Sequence, residues 1–149
     1  MATEITALPK LYIGIDIHKK SWSVHIRTDI SDHKNFTVPS DPSVVYDYVN
    51  KHFMGYQVAL TYEAGCCGFS AARYFMQMCW EVMVVNPADV PTNNKQYYQK
   101  TDALDWRNLS RQLSLGELKG IFVPDEREDE LKSLLRHRAA ITRQLRTAK

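Results

Sequence analysis

Tyr12-Ile13-Gly14-Ile15-Asp16-Ile17 is an apolar strand pattern that carries a single acidic side chain. An unpaired carboxylate is costly to bury in such a strand. A bound cation would offset that cost, and Mg²⁺ prefers carboxylate oxygen. The plainer alternative is a surface acid near the strand end, or one paired with Lys19 or Lys20. Asp16 by itself does not decide between a metal ligand and a surface acid.

The segments on either side of this stretch predict a sheet with helices. Residues 11–18 and 22–28 are β-rich and closely connected, which indicates a hairpin. Asp41 is a suitable N-cap, and Pro42 a suitable first residue, for an amphipathic helix that ends before Gly55. Further strands are predicted at 34–38, 56–62 and 82–85, and further helices at 70–80 and 101–113. Three strands followed by alternating helix and strand predict an α/β fold, with a mixed sheet flanked by helices.

The bulk composition agrees with one compact domain. The chain has 149 residues, of which 44% are hydrophobic and 24% charged. No apolar run has the length needed to span a bilayer, and residues 1–10 lack a signal-peptide core. The three cysteines have no paired spacing typical of a zinc site. We therefore expect a cytoplasmic protein with reduced thiols.

The C-terminal segment differs in character from the rest. An acidic run at 125–130 precedes a basic stretch, an order that the helix dipole favours. Leu134, Ile141 and Leu145 form a stripe along this predicted helix, and Arg138 interrupts it. We expect residues 1–120 to form a metal-binding domain and residues 121–149 to begin a connecting or coiled-coil helix. The natural polypeptide is expected to continue beyond it.

Three further acids occur at positions that suit a metal site. Glu63 ends a second apolar strand, and strand ends are the usual place for ligands in open α/β sheets. Asp102 and Asp105 are three residues apart on a predicted helix, so both can project from one face. Each has a structural alternative as an acid near a helix N-terminus. Together with Asp16, they would form a cluster able to hold two ions roughly 4 Å apart, as in two-metal phosphodiester-cleaving sites.

Four segments, in order, resemble one known family. They are 12–20 (YIGIDIHKK), 62–65 (YEAG), 84–87 (VVNP) and 100–105 (KTDALD). This series is similar to the insertion-sequence transposases with a DEDD signature, whose N-terminal domain has a RuvC-like, ribonuclease-H-type fold. The resemblance spans residues 11–113. It implies the same fold for this chain, followed here by a long C-terminal helix.

The resemblance also implies an activity, its ions and its partners. Asp16, Glu63, Asp102 and Asp105 would be the catalytic, metal-binding acids, and they would hold Mg²⁺ or Mn²⁺, two ions in all. The partners would be transposon-end DNA, target DNA and a structured guide RNA, in the nucleoid-associated cytoplasm of a prokaryote. In the family a C-terminal domain supplies a serine nucleophile, and no such domain fits between Asp105 and Lys149. We therefore expect this chain to bind metal and nucleic acid without completing recombination alone.

Basic side chains around the acids and along the last helix are candidate nucleic-acid contacts, although exposed bases are more often simply solvated. These candidates are Lys19, Lys20, Lys95, Lys100, Arg136, Arg138 and Arg143. The apolar stripe of the last helix predicts a homo-oligomer formed through that helix.

Three other functions remain open from the sequence. A stand-alone Holliday-junction resolvase of similar fold would cut branched DNA using water. A non-catalytic module of this fold would bind RNA and assemble. An actin-like or sugar-kinase-like ATPase also opens with a Gly-Ile-Asp strand, but it needs a glycine-rich second phosphate loop that this sequence lacks.

Overall fold

The computed structural model describes residues 7–65, 67–90 and 105–148. A five-stranded mixed sheet has the strand order β3-β2-β1-β4-β5. β2 runs antiparallel to both of its neighbours, β1 and β3, whereas β1, β4 and β5 run parallel to one another. The elements in chain order are β1 (Lys10–Ile17), β2 (Ser21–Thr28), β3 (Asp32–Pro39), α1 (Pro42–His52), β4 (Gln57–Glu63), α2 (Ser70–Gln77), β5 (Glu81–Val85), α3 (Asp105–Leu115) and α4 (Glu126–Thr147).

This architecture confirms the predicted fold class, a mixed sheet with flanking helices and a long C-terminal helix, consistent with a ribonuclease-H-like fold. The predicted N-cap of α1 is also confirmed, since the Asp41 carboxylate accepts a hydrogen bond from the backbone N–H of Ser43 at 2.9 Å. Helix α2 was predicted to reach residue 80, but it ends at Gln77. Cys79 takes a φ of 62°, which a continuing helix does not allow.

The two faces of the sheet carry different side chains because strand residues alternate. On one face the apolar residues of β1, β2 and β4 form the main core with α1 and α2. Ile13, Val24 and Leu60 are fully buried there, and burial of each such side chain contributes roughly 1.5–3 kcal/mol. The other face carries Gly14, and α3 packs across it against β1, β2 and β4.

Helix α4 projects from this core. The Asp125 side chain accepts a hydrogen bond from the backbone N–H of Glu128 at 2.7 Å and so caps the first turn. Arg73 of α2 donates to the carbonyl oxygen of Pro124 at 3.1 Å and to the Asp129 carboxylate at 3.2 Å. No residue of α4 is buried. Among the helices that the structure describes, none is long and apolar enough to cross a membrane.

Candidate metal centre

Asp16 and Glu63 lie side by side at one edge of the sheet. Ile15 of β1 pairs with Tyr62 of β4 in parallel register, and each acid follows one of these residues. The two carboxylates therefore lie at the carboxyl ends of adjacent strands and on the same face. Both line a cleft of about 100 Å³, together with Leu109 of α3. The rest of the lining comes from Ile15, Ile17, Ala64 and Gly65.

The Asp16 carboxylate is only partly buried. Its side chain is 24% exposed and accepts a hydrogen bond from Nε2 of His18 at 3.0 Å. The free-energy cost of burying the Asp16 carboxylate is therefore smaller than the apolar strand pattern suggested. Its partner is a histidine two residues away, whereas the sequence suggested Lys19 or Lys20. The hydrogen bond orients the carboxylate within the lining of the cleft.

The chain around Glu63 is held from the opposite face of the sheet. The hydroxyl of Tyr62, the preceding residue, donates to the carbonyl oxygen of Gly68 at 3.2 Å and accepts from the backbone N–H of Ala72 at 3.3 Å. Burial raises the pKa of Tyr62 to about 12, so this hydroxyl keeps its proton. The N–H of Ala64 also bonds to the carbonyl oxygen of Val85 at 2.8 Å. These contacts fix the strand end that carries Glu63.

Helix α3 approaches the same face through Gly14. A Cβ atom at this position would lie 2.2 Å from the carbonyl oxygen of Trp106 and 2.9 Å from the backbone nitrogen of Ser110. Only a residue without a side chain therefore allows the helix backbone to lie this close. The helix begins at Asp105, one turn before the cleft-lining Leu109. The amino-terminal end of α3 thus lies beside the two acids of the sheet.

The structure describes three of the four predicted acids, Asp105 through its backbone alone. The structure brings Asp16 and Glu63 together in one cleft. It places the backbone of Asp105 at the start of α3, while Asp102 lies outside the described residues. Within residues 7–65, 67–90 and 105–148, no group of three or more His, Cys, Asp or Glu side chains is close enough to hold a metal ion. The four-carboxylate cluster therefore stays a prediction.

The candidate nucleic-acid residues occupy two separate surfaces. Lys19 and Lys20 are exposed in the β1–β2 turn, close in sequence to Asp16. The Ser40 hydroxyl donates to the carbonyl oxygen of Lys19 at 2.9 Å and so fixes this turn. On α4, Arg136, Arg138 and Arg143 are all exposed. Lys95 and Lys100 lie outside the described part of the chain.

Sequence reasoning missed a buried polar pair beneath α3. His25 of β2 is 3% exposed and Ser110 of α3 is fully buried, and Nδ1 of the histidine lies 2.5 Å from the serine Oγ. Burial lowers the pKa of His25, the charges of Arg107 and Arg27 lower it further, and that of Asp32 opposes them. The only local signal was a histidine among the apolar residues of a strand. Its partner is 85 positions away in the chain.

The mixed sheet, the paired carboxylates at its edge and the helix beside them define an α/β domain of ribonuclease-H-like type. The comparison with protein families makes the assignment specific. The model of the IS110-type DEDD transposases, described as "Transposase", matches residues 13–149. This chain therefore belongs to the IS110-type DEDD transposase family, as the four sequence segments predicted.

Two curated relatives agree with this family. The protein named "Putative transposase y4qE", from Sinorhizobium fredii, is 34% identical over 90 residues, which are 60% of this chain and 23% of that protein. The protein named "Transposase for insertion sequence element IS1533", from Leptospira borgpetersenii, is 24% identical over 137 residues, or 89% of this chain and 39% of that protein. The chain thus matches well under half of the length of either relative.

Proposed function

We propose that this chain is the metal-binding, nuclease-like part of a DNA transposase that acts on transposon-end and target DNA. The observation that carries the proposal is the placement of Asp16 and Glu63 on adjacent strand ends, lining one cleft beside the start of α3. Two carboxylates in a partly open cleft are a hard-oxygen donor set that suits Mg²⁺ or Mn²⁺. In this proposal Asp102 and Asp105 complete the set, so that two ions are held.

The chemistry assigned to the site is phosphodiester transfer. Bound divalent ions would supply Lewis-acid polarisation of the phosphate and stabilisation of the leaving oxygen. The protein's own part is positional: His18 orients Asp16, and the Tyr62 contacts hold the strand end of Glu63. In the family that the sequence resembles, the nucleophile is a serine of a C-terminal domain, so the acidic cluster would orient and stabilise that serine rather than activate water.

Family membership and the position of the basic residues support the proposed nucleic-acid partners. Lys19 and Lys20 lie at the edge of the sheet that carries the acids, where they would contact the phosphates flanking the reacting bond. Arg136, Arg138 and Arg143 on α4 would contact a longer DNA or the structured guide RNA. The dependence of binding on salt concentration measures how many of these side chains neutralise phosphates.

Self-association is assigned to α4. Leu131, Leu134, Ile141 and Leu145 follow a three-four spacing on this helix and are 44–67% exposed. That spacing is the pattern of a coiled-coil seam, and a second copy of the chain would cover it. Arg138 falls at one seam position, where its charge would weaken the pairing. We expect a homo-oligomer by sedimentation velocity, and a Leu134→Lys variant that sediments as the monomer.

The proposed metal site is tested by titrating Mn²⁺ into the protein by calorimetry. We expect saturable binding in the wild-type chain and at least a tenfold weaker affinity in Asp16→Asn, because metal ligands of this kind contribute several kcal/mol through charge. Asp47→Asn is the matched control, since Asp47 is an exposed acid on α1 and its removal changes the net charge equally. Equal binding in all three proteins would overturn the metal site.

Cleavage of branched DNA by this chain alone would instead identify a resolvase-like enzyme. Metal binding with no activity in the complete transposase would indicate a non-catalytic assembly module.

A further inference from the structure

A buried hydrogen bond ties α3 to β2. The Ser110 hydroxyl donates to the carbonyl oxygen of Arg107 in its own helix at 2.9 Å, so its oxygen is left to accept a second bond. That bond comes from Nδ1 of His25 at 2.5 Å, which makes the histidine an Nδ1–H donor. Neither side chain lines the cleft that contains Asp16 and Glu63.

Two other contacts of α3 depend less on the rotation of the helix. Gly14 permits a close approach of backbone to backbone, and Leu109 packs through apolar contact, which has little directional preference. A hydrogen bond between two buried groups does depend on direction, and breaking it leaves a buried polar atom without its partner. A second polar contact lies toward β3, where the side-chain oxygen of Asn35, in the orientation that satisfies the amide, accepts from Nε of Arg107 at 2.8 Å.

We propose that the His25–Ser110 pair positions the amino-terminal end of α3, and with it Asp105, against the sheet edge formed by Asp16 and Glu63. Asp105 precedes Ser110 by five residues, which is roughly 7.5 Å along a helix axis. A rotation or shift of α3 about this anchor would therefore move its first turn relative to the cleft. The inference rests on the proposed metal site, and it assigns His25 and Ser110 to positioning rather than to contact with the ion or the DNA.

Burial lowers the pKa of His25, the charges of Arg107 and Arg27 lower it further, and the charge of Asp32 opposes them. Its Nε2 lies 3.8 Å from the Asp32 carboxylate, which is itself 3.7 Å from Nε of Arg27, and Arg107 faces the ring from α3. The pKa of His25 lies below its ordinary value of 6.5. The stability that neutral His25 contributes is therefore present above pH 6.5 and is lost as pH falls from there through the lowered pKa of the folded state. A variant without this histidine should not show that loss.

The test compares one variant that retains the hydrogen bond between positions 25 and 110 with two variants that remove it. In His25→Asn the side-chain amide nitrogen stands where Nδ1 was, so the bond to Ser110 is retained. His25→Leu and Ser110→Ala remove it. Val49→Ala, in α1 on the opposite face of the sheet, is the control for simple loss of stability. Two properties are measured in the folded proteins: the Mn²⁺ affinity and the ¹⁹F resonance of 5-fluorotryptophan at Trp106, assigned with Trp106→Phe.

We expect His25→Leu and Ser110→Ala to weaken Mn²⁺ binding roughly tenfold, the scale found for groups that orient metal ligands, and to shift the Trp106 resonance. His25→Asn should stay close to wild type in both, and Val49→Ala should lower Tm while changing neither. Unchanged affinity and resonance in His25→Leu, or equal losses in Val49→Ala, would overturn the inference. If the wild-type chain binds no Mn²⁺, the proposed metal site fails, and the Trp106 resonance alone then decides whether the pair positions α3.

Discussion

Gly14→Ala is expected to lower the free energy of unfolding by about 3 kcal/mol, at the upper end of the usual cost of overpacking a core. The added Cβ would lie 2.2 Å from the carbonyl oxygen of Trp106 and 2.9 Å from the backbone nitrogen of Ser110. Both neighbours are backbone atoms of α3, so no side chain can rotate away to make room. Relief requires α3 to move off β1, which also exposes the buried Leu109 and Ser110. Urea denaturation measures the loss directly.

Gly65→Ala is the matched control for this substitution. The nearest atom to a Cβ at position 65 is the carbonyl oxygen of Glu63 at 3.8 Å, which is an ordinary contact distance. Its free energy of unfolding should stay within about 0.5 kcal/mol of wild type. Hydrogen exchange adds a local readout, since the amides of α3 should lose protection in Gly14→Ala while those of α1 keep it. Similar stability of the two variants would show that the close approach at Gly14 is not required.

The same glycine shows where sequence reasoning succeeds and where it stops. The strand around Gly14 and Asp16 was predicted, because periodicity and β-propensity are local properties of the chain. The role of Gly14 in allowing the close approach of α3 was not predicted, because that helix lies more than 90 positions later in the sequence. From the sequence alone, a Gly-Ile-Asp strand fits the phosphate-binding hairpin of an ATPase as well as it fits this sheet. The helix that packs over the glycine distinguishes the two.

The two sheet acids were predictable for a related reason. Asp16 is the second-last residue of an apolar strand and Glu63 the last residue of another, and adjacent parallel strands bring such ends to one edge. The pair His25 and Ser110 was not predictable, since each has an ordinary local explanation and only the packing of α3 on β2 brings them together. Residues that are brought together by strand register and strand order can be predicted from a sequence. Residues that act through helix docking require the three-dimensional structure.

Mn²⁺ is expected to raise the Tm of the wild-type chain and to leave the Tm of Asp16→Asn and Glu63→Gln nearly unchanged. A ligand that binds only the folded state stabilises it by about 2.7 kcal/mol when its concentration is 100 times Kd. For a domain of this size, that corresponds to a rise on the order of 8 °C. Each variant is compared with itself in the presence and absence of Mn²⁺, so any change in its stability without metal cancels.

The size of the Tm shift in each variant distinguishes an ion held by both carboxylates from ions held by each carboxylate separately. Because both carboxylates line the same cleft, either substitution alone should remove most of the shift, and the double variant should lose little more. Asp47→Asn should retain the full shift, since Asp47 is exposed on α1, which packs on the other face of the sheet. Additive, partial losses in the single variants would instead mean that the two acids bind separate ions. A shift that survives in both variants would place the ion at a different part of the chain.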